Sequence, residues 1–259
     1  MDLNFVRRGE GEPLLLIQGM SGTHLSWGEP FLEDLARDFD VVAYDHRGVG
    51  RSPRLDGPFT IRDLADDAAG LLDALGWERA HVLGISMGGM VAQELALTHG
   101  DRVSTLALGC TYCGGQGAAL AAPEVGQALA AGMTSGDRDL ALETMWRYNV
   151  SSAFAANAAN FPVFKEMALA LPVAVPVIML QMQAIMGHDT SGRLPSLDVP
   201  TLVVHGDEDQ MLPVANGRLI ASLVPGARLE VLEGVGHLFW WEQPERSAAL
   251  VREHALAAV

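Results

Sequence analysis

Basic residues are scarce in this chain. Seventeen Lys and Arg stand against 32 Asp and Glu over 259 residues, a formal net charge of −15. Phosphate backbones are held by clustered Lys and Arg, so this balance argues against nucleic acid as a partner. It argues equally against an anionic membrane surface. Cysteine is scarcer still. Two residues, Cys110 and Cys113, cannot staple a chain of this size, so a reducing, cytoplasmic setting is expected. The opening run MDLNFVRRGEGEP lacks the basic-then-apolar order of a secretory signal. No H-E-x-x-H motif occurs, and Gly48-x-Gly50 falls short of a dinucleotide fingerprint, so neither a metal nor a cofactor is expected. Internal repeats and long low-complexity linkers are absent too.

What is present is apolar. Hydrophobic residues make up 49% of the chain, enough for a real core. Met167 to Gly187 carries no Asp, Glu, Lys or Arg and is long enough to span a bilayer. Pro172 and Pro176 would break a single helix there, and Gln181 and Gln183 would need partners in lipid. Buried or pocket-lining helices are therefore expected, and no membrane span.

Six short apolar runs read as buried strands: Leu14 to Gln18, Val41 to Tyr44, Ala80 to Ile85, Ser104 to Leu108, Thr201 to Val204 and Leu229 to Leu232. Asn4 to Arg8 reads as an added edge strand. Helical spacing appears over Trp27 to Asp38, Ile61 to Leu75, Gly88 to His99, Asn216 to Leu223 and Pro244 to Ala257. Thr60 and Gly76 suit the two caps of the second of these. Strands alternating with helices imply an α/β fold with a mostly parallel, doubly wound sheet. The alternation stops between about Gly114 and Pro195, where the chain is Ala- and Met-rich and reads helical. The expected organisation is a core of 1–113 and 196–259 with a helical lid, 114–195, inserted between core strands.

Gly84-Ile85-Ser86-Met87-Gly88 lies where one of these strands meets a helix. This is the G-x-S-x-G pattern in the strand–turn–helix context it requires. Small residues on either side let a sharp turn lift the Ser86 hydroxyl to a helix N-terminus, which favours developing negative charge. A serine hydroxyl needs a base. Gly236-His237 follows the last strand and supplies an imidazole. An acid must hold that imidazole in one tautomer. His205-Gly206-Asp207-Glu208-Asp209, after the Thr201–Val204 strand, offers three.

With these pieces in the order Ser, Asp, His, the chain resembles the α/β-hydrolase superfamily. The matching residues are Gly19-Met20, Asp45-His46-Arg47-Gly48-Val49-Gly50-Arg51-Ser52, Gly84 to Gly88, His205 to Asp209, and Gly236-His237. The D-x-R-G-x-G-x-S segment is typical of the small esterase, enol-lactonase and haloperoxidase-like members. The resemblance implies a triad of Ser86, Asp209 and His237, with Asp209 taken at the end of the H-G-x-x-D string. It implies an oxyanion hole from the backbone N–H groups of Met20 and Met87. Most relatives have His-Gly where this chain has Gln18-Gly19. A serine hydrolase acting on a small, mainly apolar ester or lactone is expected. The alternatives are different chemistry on the same fold (C–C bond hydrolysis, perhydrolysis, lyase or cyclase) and a non-catalytic small-molecule receptor.

Other residues admit two readings. Cys110-x-x-Cys113 follows a strand as a redox pair would, but either cysteine can simply line a pocket. His24 is a substrate contact or a solvated loop histidine. His46 and His205 read as structural, with Arg47 pairing Asp45 or a nearby carboxylate. Met145, Met179 and Met182 are candidate substrate contacts on the lid, although methionine is commonly core filler. Trp240 packs the base loop or reaches the pocket, packing being favoured.

Overall fold

In a computed structural model, which describes residues 2–55 and 57–257, the apolar runs lie side by side. They are β1 (Phe5–Arg8), β2 (Glu12–Ile17), β3 (Phe39–Tyr44), β4 (Ala80–Ile85), β5 (Val103–Gly109), β6 (Thr201–Gly206) and β7 (Arg228–Leu232). Their order in the sheet is β1-β3-β2-β4-β5-β6-β7. Only β1 runs antiparallel, against β3; the other five pairings are parallel. The sheet is doubly wound, as the alternation implied.

The strands read as unbroken apolar runs because both faces are covered. Side chains alternate along a strand. Leu15 and Ile17 therefore join one core layer with Val42, Tyr44 and Val82, while Leu14 and Leu16 join the other with Val41, Ala43 and Leu83. Helices α2 (Ile61–Leu75) and α3 (Met87–Thr98) close the first layer. The second is closed by α1 (Glu29–Leu35) and, from the far end of the chain, the C-terminal helix. Helix α2 begins with a capping box at Thr60 and Asp63 and ends at Gly76 in the left-handed conformation, φ 71°.

Between β5 and β6 stand five helices: α4 (Pro123–Thr134), α5 (Arg138–Asn149), α6 (Ser152–Ala156), α7 (Asn160–Ala170) and α8 (Val175–Met186). Trp146, Val150 and Phe164 form their small core. Among the described residues no single helix is long and apolar enough to cross a membrane. The uncharged Met167–Gly187 stretch is split between α7 and α8, which meet at 100°. Pro172 lies in the break, where proline cannot continue a helix. The remaining helices are α9 (Ala215–Leu223), α10 (Phe239–Glu242) and α11 (Pro244–Leu256).

The tightest crossing is where α3 leaves β4 beside the end of β2. A Cβ on Gly88 would lie 2.0 Å from the Ile17 carbonyl oxygen, and one on Gly84 would lie 2.3 Å from the Gly88 carbonyl oxygen. Backbone cannot yield to either. Gly70, midway along α2, meets nothing within 4 Å. Urea denaturation should therefore show Gly88→Ala losing about 2 kcal/mol or more. Gly70→Ala should instead gain up to about 1 kcal/mol, because alanine restricts the unfolded chain and favours helix.

Candidate active site

Ser86 is the single residue between β4 and α3, at φ 55° and ψ −120°. Among the described residues only Ser21, Ser86 and Cys110 hold a positive φ without being glycine. Such strain costs roughly 1–3 kcal/mol and persists only where surrounding contacts impose it. Here Ser86 N–H donates to Gly109 O (2.9 Å), while Ser86 O accepts from Thr111 Oγ1 (2.6 Å), Gly89 N (2.9 Å) and Met90 N (3.2 Å). Ser86 thus caps α3, whose first N–H groups and macrodipole favour negative charge at that point.

Parallel pairing carries the other groups to the same edge of the sheet. Ile85 pairs with Gly109, Gly109 with Val204, and Gly206 with Leu232. The loops after β4, β6 and β7 therefore leave together. His237 Nδ1 lies 2.7 Å from Asp209 Oδ2, both residues being buried. The other carboxylate oxygen, Oδ1, accepts from Met211 N (2.8 Å) and Leu212 N (2.9 Å). Burial by itself would raise the Asp209 pKa. The His237 charge and hydrogen bonds from His205 and His237 reverse this and hold the carboxyl well below the usual range. Asp207 instead accepts from Gly234 N (2.7 Å), and Glu208 from Ser152 N (3.2 Å). Of the three acids in the loop, Asp209 is the one that meets His237.

The loop bearing Met20 sits against Ser86. A Cβ added to Gly19 would lie 3.1 Å from Ser86 Cβ and 3.6 Å from Ser86 Oγ. Gln18 folds back so that its Oε1 accepts from Gly19 N (2.8 Å). Ser21 N–H donates to Gln181 Oε1 of α8 (2.9 Å). Met87 is the first residue of α3.

Several candidate contacts take other places. His24 is not a solvated loop histidine. It is buried, with its N–H donating to Asp45 Oδ1 (2.7 Å) and its Nδ1 2.9 Å from the same oxygen. Asp45 is fully buried, and its other oxygen accepts from Asn4 Nδ2 (2.8 Å) and Arg51 N (3.3 Å), so it knits the D-x-R-G loop together. Arg47 pairs with Asp67 through Nε (2.6 Å) and Nη2 (2.7 Å), not with Asp45. His46 Nε2 reaches Gln18 O (2.8 Å) and His205 Nε2 reaches Leu212 O (2.7 Å), both structural. Trp240 takes the favoured packing role: it is buried against Trp27 and Phe239, with Nε1 donating to Ser26 O (3.0 Å). Met145 joins the Trp146 cluster.

Met179 and Met182, expected as pocket contacts, line an open cleft with Pro176, Leu180, Gln183 and Met186, none of which belongs to the group of Ser86, Asp209 and His237. They are 58% and 40% exposed and with Met186 face away from the core. Their spacing put them on one helix face, but periodicity does not say which face turns inward. Gln181 and Ala184 are buried in their place.

Two contributors were not among the expected site residues, because their partners Ser21 and Ser151 are distant in the chain. Gln181 is one. Glu242 is the other: its Oε1 accepts from Gly236 N (2.8 Å) and Ser151 N (2.9 Å), and its Oε2 from Ser151 Oγ (2.5 Å). Leu238 N–H donates to Asn149 O (2.9 Å). Both neighbours of His237 are thereby tied to the inserted helices. Cys110 and Cys113 are free and buried. Burial pushes the Cys113 thiol up to about 11 and raises Cys110 as well, opposite to the lowered pKa of a redox pair. Cys110 Sγ, an Asp209 oxygen and a His237 nitrogen lie within 4.8 Å of one another, the one group of potential metal ligands among the described residues.

Comparison with known proteins agrees with this architecture. The family model described as alpha/beta hydrolase fold matches residues 12–170 and 178–244. A protein of Azorhizobium caulinodans, proposed by its name to be a carbamate hydrolase, RutD, is 31% identical over 242 residues, covering 92% of this chain and 89% of its own. A poly(3-hydroxyalkanoate) depolymerase of Ectopseudomonas oleovorans is 30% identical over 244 residues, covering 92% and 82%. The crystal structure of the enol-lactonase from Burkholderia xenovorans superposes with a TM-score of 0.82 at 27% identity, over 98% of this chain and 96% of that one.

The lowered Asp209 pKa sets a pH dependence. A carboxyl depressed on folding stabilises the fold above its unfolded value, about 4, and that contribution fades as pH falls below it. Asp209→Asn should cost about 2 kcal/mol or more at pH 7. Urea denaturation as pH falls from 7 to 3 should show the gap between variant and wild type narrowing below pH 4.

Proposed function

The chain belongs to the alpha/beta hydrolase family, and from that premise we propose that it is a serine hydrolase that opens a carboxylic ester or lactone through an acyl-enzyme. The observation that carries this reading is the strained Ser86 at the start of α3, on the sheet edge where His237 and Asp209 are paired at 2.7 Å. Ser86 Oγ attacks the carbonyl carbon while His237 takes its proton. Asp209, bonded to Nδ1, keeps the opposite ring nitrogen as the base and stabilises the imidazolium. The backbone N–H groups of Met87 and Met20 receive the oxyanion. His237 then protonates the departing alkoxide and activates the water that releases the acid.

The substrate is a small neutral molecule, since a net charge of −15 repels anions. Neither nucleic acid nor membrane is a partner in this reading. Segment 114–195 acts as a lid, and two free cysteines suit the cytoplasm. Enol-lactonase and polyester depolymerase likenesses favour an ester or lactone carbonyl. The carbamate hydrolase likeness supports a second reading, the same attack on a carbamate.

A fluorophosphonate should label wild type at Ser86 and leave Ser86→Ala unlabelled. Hydrolysis of p-nitrophenyl esters and simple lactones should fall about 10³- to 10⁴-fold in Ser86→Ala, His237→Gln and Asp209→Asn. Labelling without turnover of esters or lactones, but with turnover of a carbamate, would move the assignment to the second reading. Absence of any label in wild type would remove the activated serine altogether.

A further inference from the structure

Eight buried side-chain nitrogen or oxygen atoms lack a hydrogen-bond partner among the described residues. Two of them lie beside one loop, the carboxamide nitrogens of Gln18 at its start and of Gln181 on α8. Their oxygens are both engaged there. Gln18 Oε1 accepts from Gly19 N (2.8 Å), and Gln181 Oε1 accepts from Ser21 N (2.9 Å), so the pair brackets Met20. These bonds also orient each amide, leaving the N–H₂ end as the unmatched donor. Gln18 is 3% and Gln181 0% exposed. Buried donors are ordinarily satisfied, because an unmet one forfeits its hydration without return. Here two unmet donors flank the residue proposed to carry an oxyanion N–H. A Cβ on Gly19, between them, would lie 3.6 Å from Ser86 Oγ.

We propose that Gln181, with Gln18 beside it, forms a second polar subsite that donates to a neutral oxygen of the substrate other than the scissile carbonyl, a carbonyl, ether or hydroxyl oxygen close to the reacting carbon. This rests on the serine-hydrolase reading and narrows its substrate to oxygenated acyl groups or lactones. Gln181 is then a specificity residue carried by the inserted helices. A site whose buried donors await an acceptor rejects the analogue that lacks it far better than an apolar pocket rejects a misfit. Gln181 also braces Ser21, so removing it slows every substrate; the subsite appears only in the difference between substrates.

The test compares p-nitrophenyl methoxyacetate with p-nitrophenyl butyrate, which differ by one oxygen in place of a methylene. Each kcat/KM is divided by the ester's rate with hydroxide, to cancel inductive activation. Wild type should favour the methoxyacetate by about tenfold or more. Gln181→Leu should abolish that preference. Gln181→Glu should abolish it too, since it keeps an oxygen for Ser21 N–H and has no N–H₂. Fluorophosphonate labelling of each variant reports an intact Ser86. A wild type without the preference overturns the proposal, and needs no variant to do so. Variants that slow both esters equally also overturn it, reducing Gln181 to a brace. A wild type that hydrolyses neither ester and takes no label overturns the reaction reading, and the subsite with it.

Discussion

The close passage of α3 over the end of β2 is the constraint on which the rest of the site depends. Gly88 rides over the Ile17 carbonyl and Gly84 under the Gly88 carbonyl, each at a distance no Cβ tolerates. Only because these positions are bare can the chain reverse within one residue. That residue, Ser86, takes the left-handed strain of the reversal. The strain is held by the hydrogen bonds of Gly109, Thr111 and the first turn of α3, so the serine is presented rigidly. The same passage fixes Gln18 and Gly19 against Ser86, because they continue directly from Ile17. A packing constraint between strand and helix thus places both the hydroxyl and the loop proposed to face its oxyanion.

The second half of the site is fixed by charge and hydrogen bonds, not by close packing. Asp209 is buried, which alone would favour its neutral form. Two histidines and two backbone N–H groups outweigh that penalty and keep it ionised. An ionised, fully engaged carboxylate has little freedom to turn, and His237 inherits its orientation. Glu242 does the same for the backbone on one side of His237, and the Asn149 carbonyl on the other. The inserted segment enters both ties, Asn149 directly and Ser151 through its bonds to Glu242. Its seating on the core and the placing of the imidazole are therefore one structural event.

The inserted helices also show how an apolar, charge-free sequence can be divided between inside and outside. Pro172 lies in the break between α7 and α8, and α8 then turns Gln181 and Ala184 inward. The methionines of the opposite face stay in contact with water. Gln181 is buried with its oxygen accepting from Ser21 N–H.

Much of this was legible in the residues themselves. Strand and helix positions followed from apolar period, with Ala80–Ile85 and Ile61–Leu75 matching to the residue. The parallel sheet followed from their alternation, and the candidate triad from a strand–turn–helix serine followed in order by Asp209 and His237. Those signals are local, arising from neighbours a few positions apart. What the sequence left open was decided by contacts between distant segments. His24 became a partner of Asp45, Trp240 a core residue, and Met179 and Met182 part of an open cleft on α8, while Gln181 found its donor at Ser21 and Glu242 its donors at Ser151 and Gly236. Periodicity tells which residues share a face. Only the tertiary structure decides which face is buried and which buried group finds a partner, because those choices depend on what the rest of the chain brings alongside.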